Sequence, residues 1–451
     1  MMNRKYFGTD GIRGTYGHHP MTSAFAYQVG YALGKFFNQE ESTLFVIGRD
    51  TRASGTTLEK ALVKGIEKSG GSAACIGVIP TAAVALLTQH HRAAAGIMIS
   101  ASHNPYEDNG IKCFGQDGFK LTDEIEREIE TLIDQAPALQ DSQLTDQKPC
   151  FETKDTCFKI YEKALCSSLP EKTSLEGLNI FVDCGNGASW VSTPQILKNL
   201  GAKVTSLFVD PNGENINLNC GSQHTAILQE LVKKNEYAVG LAHDGDADRF
   251  ILIDETGQAL DGDEVLAILG IDMLERRTLK HNTVVTTVMS NLALDEVLMK
   301  HGGHVHRTQV GDRYVLAAMK EHDYNLGGEQ SGHMILLDFL STGDGLLSAL
   351  QVLELMTRKK KTLTELRTCI KKYPQQLFNI RVKSKPPLEE LTDLQLALNE
   401  VNQDLGAQGR AFLRYSGTEN KIRLLLEAKD ASKVSPMAER ILKEIRIAIG
   451  V

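Results

Sequence analysis

Residues 44–55 read Leu-Phe-Val-Ile-Gly-Arg-Asp-Thr-Arg-Ala-Ser-Gly, and they begin a pattern that predicts most of the architecture. A short apolar strand runs into a polar loop with glycines, and a helix follows as far as Ser69. The pair Gly70-Gly71 ends the helix, and a second apolar strand covers 73–79. Strand, loop, helix, glycine cap and strand in this order predict a βαβ unit with parallel strands.

The same plan recurs twice along the chain. In the second unit the first strand covers 178–182, the loop 183–187 and the second strand 204–209. In the third unit the first strand covers 283–287, the loop 289–291 and the second strand 304–309. Three units in order predict three consecutive α/β domains. The second strand of each unit ends in a polar turn, at 80–81, 211–213 and 310–313. Because ligands gather at the carboxyl ends of such strands, these turns predict a shared cleft.

The tail of the chain has a different order of elements. Strand, helix, strand, strand and helix are predicted over 377–382, 391–405, 411–415, 422–428 and 434–449, which indicates a small α+β domain. Arg414 and Arg423 flank the turn Ser416-Gly-Thr-Glu419 between its central strands. Hydroxyls, backbone N–H groups and two arginines around one turn suit a phosphate. A plain β-turn with solvated arginines is the alternative.

Length and composition bound the function classes. A chain of 451 residues is too long for one core. We place four domains at 1–150, 151–253, 254–370 and 371–451. The net charge of −8 gives no electrostatic reason to expect nucleic acid as a partner. No apolar run approaches a membrane span, and the N-terminus lacks the apolar region of a signal peptide. Eight scattered cysteines without a Cys-x-x-Cys pair favour a reducing, cytoplasmic protein without a disulfide framework or zinc site.

One acidic cluster, Asp244-Gly-Asp-Ala-Asp-Arg249, lies between the apolar runs 237–242 and 250–253. Alternate side chains of an extended segment point the same way, so we expect the three carboxylates to converge. Three like charges need a cation, and an oxygen-only ligand set suits Mg²⁺ or Ca²⁺. Arg249 adds a fork for a phosphate or a carboxylate. The cluster therefore indicates phosphate chemistry beside a hard metal ion.

Two other interpretations of this cluster compete. An EF-hand loop would use the three aspartates and Glu255 as ligands, but Arg249 stands where that loop needs glycine, and 250–253 is a strand pattern. A solvated acidic turn is the usual fate of Asp/Gly clusters. The two flanking apolar runs argue against it.

A second polar loop, Ser100-Ala-Ser-His-Asn-Pro105, follows the apolar strand 96–99. A hydroxyl at this junction is a candidate nucleophile. A serine hydrolase is disfavoured because there is no G-x-S-x-G elbow, and His103 is too close in sequence to serve readily as the base. Near Mg²⁺ the hydroxyl could instead carry a phosphoryl group. A serine that only closes a turn is the alternative.

A third polar loop, Gly327-Gly-Glu-Gln-Ser-Gly-His333, holds Glu329 and Ser331 two residues apart. In an extended loop they face one way, as gripping the adjacent hydroxyls of a sugar requires. A hairpin turn is the alternative. The stretch Thr342-Gly-Asp-Gly345 predicts a helix N-cap without chemistry.

Together these loops resemble the α-D-phosphohexomutase superfamily, most closely its phosphoglucosamine mutase branch. Nearly the whole chain takes part in the resemblance, and the opening motif and Gln330 favour this branch. The motifs, in the family's order, are Gly8-Thr-Asp-Gly-Ile-Arg-Gly14, Ser100-Ala-Ser-His-Asn-Pro105, Asp244-Gly-Asp-Ala-Asp-Arg249, Gly328-Glu-Gln-Ser-Gly-His333 and Arg414-Tyr-Ser-Gly-Thr-Glu419.

The resemblance implies a fold and a reaction. The fold is three consecutive α/β/α domains with mixed sheets plus a smaller C-terminal α+β domain around a central cleft. The reaction is the isomerisation of glucosamine 6-phosphate and glucosamine 1-phosphate, which feeds UDP-N-acetylglucosamine synthesis. It would proceed through phosphoserine at Ser102 and a hexosamine 1,6-bisphosphate that serves as intermediate and activator.

The resemblance also implies roles for individual residues. Ser102 would carry the phosphoryl group and would share one Mg²⁺ with Asp244, Asp246 and Asp248. Glu329 and Ser331 would contact the sugar hydroxyls. The remaining implied catalytic residues are Arg13, His103, Lys112, Arg249 and His333, with Lys112 a candidate for proton transfer. The non-reacting phosphate would be held by Arg414, Ser416, Gly417, Thr418 and Arg423.

Rival functions follow from the same residues. A phosphomannomutase or phosphoglucomutase differs only in a few sugar contacts. A non-catalytic sugar-phosphate-binding or Ca²⁺-binding protein should lack some of these residues, whereas all are present. A serine hydrolase or metallophosphatase would release inorganic phosphate. The expected partner is a small sugar phosphate, with no nucleic acid and no membrane. The sequence leaves the oligomeric state open, with a homodimer as one option.

Overall fold

The structure is a computed structural model that describes residues 4–37, 43–139, 154–416 and 420–449. Four sheets succeed one another along the chain. The first domain consists of β1 (Ile12–Thr15), α1 (Ser23–Phe37), β2 (Leu44–Arg49), α2 (Ala53–Lys68), β3 (Ser72–Val78), α3 (Thr81–His90), β4 (Ala95–Ile99), β5 (Asp108–Gly115) and α4 (Asp123–Gln135).

The next two sheets carry their own helices. The second group of elements is α5 (Lys154–Ser167), β6 (Asn179–Asp183), α6 (Ser192–Asn199), β7 (Lys203–Leu207), α7 (Ala226–Lys233), β8 (Ala238–His243), β9 (Phe250–Ile253) and β10 (Ala259–Leu260). The third is α8 (Gly262–Glu275), β11 (Thr283–Thr287), α9 (Ala293–Lys300), β12 (His304–Thr308), α10 (Asp312–Glu321), β13 (Leu326–Gly328), β14 (Met334–Leu336), α11 (Gly345–Lys359) and α12 (Leu363–Arg367). The division predicted between 253 and 254 falls inside the second sheet, because β10 pairs with β9.

The C-terminal domain is smaller. It consists of β15 (Gln375–Arg381), α13 (Thr392–Leu405), β16 (Gly409–Tyr415), β17 (Lys421–Ala428) and α14 (Ala431–Ala448). Its three strands are antiparallel in the order β15-β17-β16. Three α/β domains followed by an α+β domain confirm the predicted fold class.

The first three sheets repeat one arrangement of four strands. Their orders are β5-β4-β2-β3, β9-β8-β6-β7 and β14-β13-β11-β12. In each, the first pair is antiparallel and the remaining pairs are parallel, so the sheets are mixed. The pairs β2–β3, β6–β7 and β11–β12 are the three predicted βαβ units, now confirmed.

This repeat explains where the polar loops lie. The serine loop (100–105) joins β4 to β5, the aspartate loop (244–249) joins β8 to β9, and the Glu329 loop (327–333) lies around the connection from β13 to β14. All three stand at the carboxyl end of a parallel strand whose antiparallel neighbour follows directly. Equivalent positions in three successive domains therefore face one cleft. The predicted N-cap at Asp344 is confirmed, since its side chain accepts a hydrogen bond from Leu347 N.

The apolar cores divide the molecule unequally. One buried cluster is continuous through the first three domains and includes Val46, Ile76, Val182, Leu241, Leu266 and Leu350. The C-terminal domain has a core of its own, which includes Val401, Leu413, Leu424 and Ile441. Because apolar burial is the main stabilising term, the first three domains are joined more firmly to one another than to the fourth.

Candidate active site

Ser102 lies at the base of the cleft with only 1% of its surface exposed. Its φ of 53° is in the left-handed region, an unfavourable backbone for serine that surrounding contacts must hold. Ser102 Oγ donates a hydrogen bond to Asp244 Oδ2 at 2.5 Å and lies 3.2 Å from His103 Nδ1. The predicted nucleophile of the first domain and the predicted metal ligand of the second are thus in direct contact.

Arg52 holds the serine loop, a role that no motif in the sequence predicted. The side chain is fully buried and ion-paired with Asp50, with Nε 2.9 Å from Asp50 Oδ2. Its terminal nitrogens donate to backbone carbonyls of the loop, to Ser102 at 3.0 Å and Asn104 at 2.8 Å on one side and to Pro105 and Asp108 on the other. A single guanidinium therefore fixes the loop that carries the strained serine.

The aspartate loop converges by a different geometry from the one predicted. Residues 244–249 form a folded turn, in which Ala247 has a φ of 60° and donates its N–H to Asp244 O at 3.1 Å. The expectation of an extended segment was wrong, because the N–H groups of Ala247 and Arg249 both donate back to Asp244, to its carbonyl oxygen and to its Oδ1, and close the loop. The three side chains still meet, with one oxygen from each within 4.8 Å of the others.

The triad fits a hard cation. Asp246 Oδ1 and Asp248 Oδ1 are buried and accept no hydrogen bond among the described residues. Burial, with the charges of Asp248 and Asp246, raises the pKa of Asp244 well above its usual range. A divalent ion would satisfy the bare oxygens and remove this penalty. An EF-hand is excluded, since Glu255 instead accepts hydrogen bonds from Leu363 N and Thr364 N at the start of α12.

Lys112 lies beside the triad as a buried cation. Its Nζ is 2.7 Å from Asp246 Oδ2, 3.0 Å from Asp248 Oδ2 and 3.1 Å from Asp10 Oδ2. Burial opposes its charge, but the three carboxylates prevail and raise the pKa of Lys112 well above its ordinary value. A lysine held in the protonated form neutralises charge or donates a proton, and it is poorly suited to the role of base.

The surroundings shift the pKa values of the two histidines in opposite directions. Burial, together with the positive charges of Arg249 and Arg13, lowers the pKa of His103 to about 4, so its imidazole is neutral. Burial works in the same direction on His333, but Asp248 and Asp312 outweigh it and raise the pKa of His333. His333 Nδ1 is 3.7 Å from Asp248 Oδ1. The site therefore holds one neutral imidazole beside Ser102 and one that favours the cationic form beside the triad.

All four domains line the cleft in front of these groups, which encloses about 310 Å³. The predicted residues on its wall are Arg13, His103, Asp248, Arg249, Glu329, His333, Arg414, Ser416 and Arg423. Arg13 and Arg249 each have a buried Nε without a hydrogen-bond partner among the described residues. A concave site with this many cationic donors suits an anionic ligand.

The Glu329 loop does not present both of its predicted residues to this cleft. Glu329 lines the wall, and its Oε1 accepts a hydrogen bond from Gly311 N at 3.0 Å. Ser331 is exposed and lines a neighbouring recess between the third and fourth domains. Gly332 N donates to Glu329 O at 3.0 Å, so the loop is a tight turn and not the extended segment that would align the two.

The far end of the cleft is formed by the C-terminal domain. Arg414 and Arg423 are directly opposite each other on β16 and β17. Burial and the like charge of Arg423 lower the pKa of Arg414. Two guanidinium groups held side by side need an anion between them. Ser416 is buried beside them, while Gly417 and Thr418 lie outside the described residues.

The sequence analysis missed two acidic residues that line the cleft, Asp10 and Asp312, and the lysine that joins them. Lys120 bridges Asp10 of the first domain and Asp312 of the third. Asp10 belongs to the quoted opening motif, and Asp312 lies in the turn 310–313 that was expected at the cleft. For the two aspartates, the sequence signal that could have identified them was their position in these loops. Which acid pairs with which base depends on contacts between domains that no local pattern encodes.

Comparisons with known proteins follow the same four-part division. Family models described as phosphoglucomutase/phosphomannomutase match throughout: alpha/beta/alpha domain I over residues 4–139, domain II over 159–257, domain III over 261–373, and the C-terminal domain over 377–444. A phosphoglucosamine mutase from Anaeromyxobacter sp. is 44% identical over 452 residues, covering 99% of this chain and 96% of that protein. Another from Syntrophotalea carbinolica is 44% identical over 458 residues, covering 100% and 99%.

The chain belongs to the phosphoglucosamine mutase family. Membership makes it an isomerase of the intramolecular phosphotransferase kind within the phosphohexomutases, as the resemblance implied. Solved structures of proteins less than 25% identical to this chain share its fold. A phosphoglucomutase/phosphomannomutase family protein from Burkholderia thailandensis gives a TM-score of 0.81 at 21% identity and covers 100% of both chains.

A more distant structure shares the fold. An N-acetylphosphoglucosamine mutase from Aspergillus fumigatus, solved in complex with GlcNAc-6P and magnesium, gives a TM-score of 0.68 at 18% identity and covers 100% of this chain and 96% of that one. Across the four stretches that the structure describes, no helix is both long and apolar enough to cross a membrane.

Proposed function

We propose that this chain interconverts glucosamine 6-phosphate and glucosamine 1-phosphate, with Ser102 as the residue that carries the phosphoryl group. One observation carries the assignment of Ser102. Its hydroxyl contacts an aspartate triad fit for Mg²⁺, at the base of a cleft whose other end holds the paired guanidinium groups of Arg414 and Arg423. A substrate with two ends, each able to bear a phosphate, fits such a cleft.

The first half-reaction moves the phosphoryl group from Ser102 to the substrate. The bond between Ser102 Oγ and phosphorus breaks, and a bond forms between phosphorus and the free sugar hydroxyl oxygen. The product is the 1,6-bisphosphate, and the hydroxyl proton ends on Ser102 Oγ. His103, neutral and 3.2 Å from that oxygen, is placed to relay this proton. The second half-reaction reverses these steps with the other phosphate of the bisphosphate.

The buried charges around Ser102 stabilise the group in transfer. When bound, Mg²⁺ supplies a Lewis acid that neutralises charge on the phosphoryl oxygens. Asp244, Asp246 and Asp248 would hold it. Arg249 and protonated Lys112 provide fixed positive charge in a water-poor site, where it acts strongly on the developing charge.

The intermediate must turn round between the two half-reactions. Arg414 and Arg423 therefore meet one phosphate in the first half and the other phosphate in the second. Guanidinium groups suit this task because they bind any phosphate through the same two-pronged geometry. Glu329 lines the same cleft, and its charge acts on both Arg249 and Arg414, so it would hold the sugar hydroxyls in either orientation.

Mass and turnover test the role of Ser102. The purified protein should carry one phosphate that maps to the peptide holding Ser102, and Ser102→Ala should lose both the phosphate and the conversion of glucosamine 6-phosphate. Ser432→Ala, a change at an exposed serine in α14, is the matched control and should keep both. Turnover of Ser102→Ala within a few-fold of wild type would refute the assignment.

Substrate choice is tested separately. The kcat/KM values for the phosphates of glucosamine, glucose and mannose should favour glucosamine. A preference for glucose or mannose phosphate would make this chain a phosphoglucomutase or phosphomannomutase with the same chemistry at Ser102.

A further inference from the structure

Gln330 stands in the middle of the Glu329 loop, called the sugar loop below after its proposed ligand, yet its side chain points away from the cleft. Its Nε2 donates a hydrogen bond to Asp263 Oδ2 at 3.0 Å. Its carbonyl accepts from Gly262 N at 3.0 Å, so both ends of the residue are tied to the first turn of α8. Asp263 is fully buried there. A buried carboxylate needs donors, and this loop supplies one of them.

The second donor to the same carboxylate oxygen comes from the joint between the third and fourth domains. Asn291 N donates to Asp263 Oδ2 at 2.9 Å. The fully buried Asn291 side chain binds the backbone of Tyr373, at the entrance to the fourth domain. Its Oδ1 accepts a hydrogen bond from Tyr373 N at 2.9 Å, and its Nδ2 donates to Tyr373 O at 3.0 Å. One oxygen of Asp263 thus joins the sugar loop to the segment that leads into β15.

The same joint holds the strands that carry the phosphate-binding arginines. Leu292 N donates to Glu427 Oε1 at 3.0 Å, and Arg410 Nη2 donates to Ser290 O at 2.7 Å. Glu427 and Arg410 are paired across β17 and β16. Arg414 and Arg423 lie four residues further along these two strands, about 13 Å away. A small rotation at the joint is therefore enlarged at the far end of the cleft.

We propose that Gln330 and Asp263 are positioning residues that couple the sugar loop to the orientation of the C-terminal domain. A sugar that moves the Glu329 loop shifts Gln330, and Asp263 passes the shift to Asn291 and so to the strands bearing the two arginines. The affinity of Arg414 and Arg423 for the distal phosphate then depends on whether a sugar is bound at the sugar loop. This inference rests on the proposed function for its ligand, while the hydrogen-bond chain itself does not.

Two isosteric variants and their combination test the coupling. Gln330→Leu removes the donor, and Asp263→Asn weakens the shared acceptor. Each should raise KM for glucosamine 6-phosphate about tenfold, the typical effect of losing a hydrogen bond to a charged group, with kcat changed less. The double variant should be no worse than the poorer single variant, because both changes break the same chain. Gln351→Leu, which removes the hydrogen bond from Gln351 Nε2 to Ser168 Oγ far from the joint, is the control and should keep the wild-type KM.

Hydrogen exchange gives a readout that a merely structural role would not move. Without ligand, Gln330→Leu should speed exchange at the amides of Asn291, Leu292 and Tyr373, with melting temperature and Ser102 phosphorylation unchanged. With glucosamine 6-phosphate, the wild type should gain protection across 373–377 and the variant should not. Additive effects on KM, or equal exchange at the joint in variant and wild type, would overturn the coupling. A wild type that neither binds nor converts glucosamine 6-phosphate would instead overturn the proposed function, and the ligand-free exchange would still decide the coupling.

Discussion

The two ends of the cleft are built differently. Around Ser102, two domains that share one apolar core meet, and the serine, the three aspartates and Lys112 are all buried and cross-linked by hydrogen bonds. Around Arg414, a single domain with its own core presents two partly exposed guanidinium groups. In the proposed reaction the first end, here called the rigid end, holds the atoms that react. The second end, here called the adjustable end, supplies positive charge on a domain with its own core, which suits the proposed task of receiving two different phosphates in turn.

The strongest test of this contrast removes a carboxylate from the rigid end. Asp246→Asn keeps the size of the side chain and deletes one charge from the triad, so turnover should fall about 10³-fold. EDTA should bring the wild type to a similar level, and added Mg²⁺ should restore the wild type. Asp404→Asn, at an exposed aspartate paired with Arg440, should behave as wild type. A wild-type enzyme indifferent to EDTA would contradict the metal site.

A second test loosens the rigid end without touching its chemistry. Arg52→Lys keeps the ion pair with Asp50 but cannot reach all four backbone carbonyls, three in the serine loop and one at the start of β5, so the loop should lose its fixed position. We expect kcat to fall about 100-fold, the scale of a misplacement of 1 Å, with KM nearly unchanged. Steady-state kinetics measure both quantities.

Arg446→Lys, on the exposed face of α14, is the control for this substitution. An Arg52→Lys enzyme with wild-type kcat would show that the loop keeps its position without the clamp.

The opposite pattern is expected at the adjustable end. Arg423→Met removes one of the two guanidinium groups that we propose bind the distal phosphate, so KM should rise about thirtyfold while kcat changes less than KM does. Arg381→Met, at an exposed arginine of β15 in the same domain, should leave both unchanged. If kcat instead fell as far as in Asp246→Asn, the two ends would not differ in the way described.

The smallest expected effect is on stability and concerns His103. Its pKa is lowered to about 4 by burial, Arg249 and Arg13, whereas an unfolded histidine titrates at about 6.5. Between these values the unfolded chain binds more protons. The contribution of His103 to the free energy of unfolding is therefore present above pH about 6.5 and is lost as the pH falls towards 4.

His103→Gln should reduce the loss of unfolding free energy between pH 6.5 and 4 by about 1 kcal/mol. This is less than the full pKa shift implies, because water reaches the half-buried ring. Urea unfolding at several pH values, with EDTA present throughout, measures it. His90→Gln, at an exposed residue ending α3, is the control and should keep the wild-type slope. Parallel profiles for wild type and His103→Gln would contradict the lowered pKa.

Local sequence pattern was enough to predict the order of helices and strands. Apolar runs, loop residues and glycine caps predicted the three βαβ units, and the observed strands begin and end within a few residues of the predicted ones. The tail order was also right. These features depend on side-chain periodicity and turn chemistry, which neighbouring residues determine.

Local pattern misjudged the shape of the loops. The aspartate loop and the Glu329 loop were both expected to be extended, and both are tight turns. In each, a hydrogen bond within the loop and a contact with another domain override the preference of the segment. Phe250 N, just after the aspartates, donates to Gly332 O of the Glu329 loop at 3.2 Å, so each turn helps to shape the other.

The order of residues along the chain is enough to show which functional groups are available: a hydroxyl, a carboxylate triad and two arginines on separate loops, in the order typical of one family. Their geometry and charge depend on how the domains pack. This packing brought Ser102 to Asp244 from 142 residues away, kept Lys112 protonated among three carboxylates, and turned Gln330 from the cleft towards Asp263. The physical reason is that burial and charge–charge interactions act through space, between side chains that only the packing of whole domains makes neighbours.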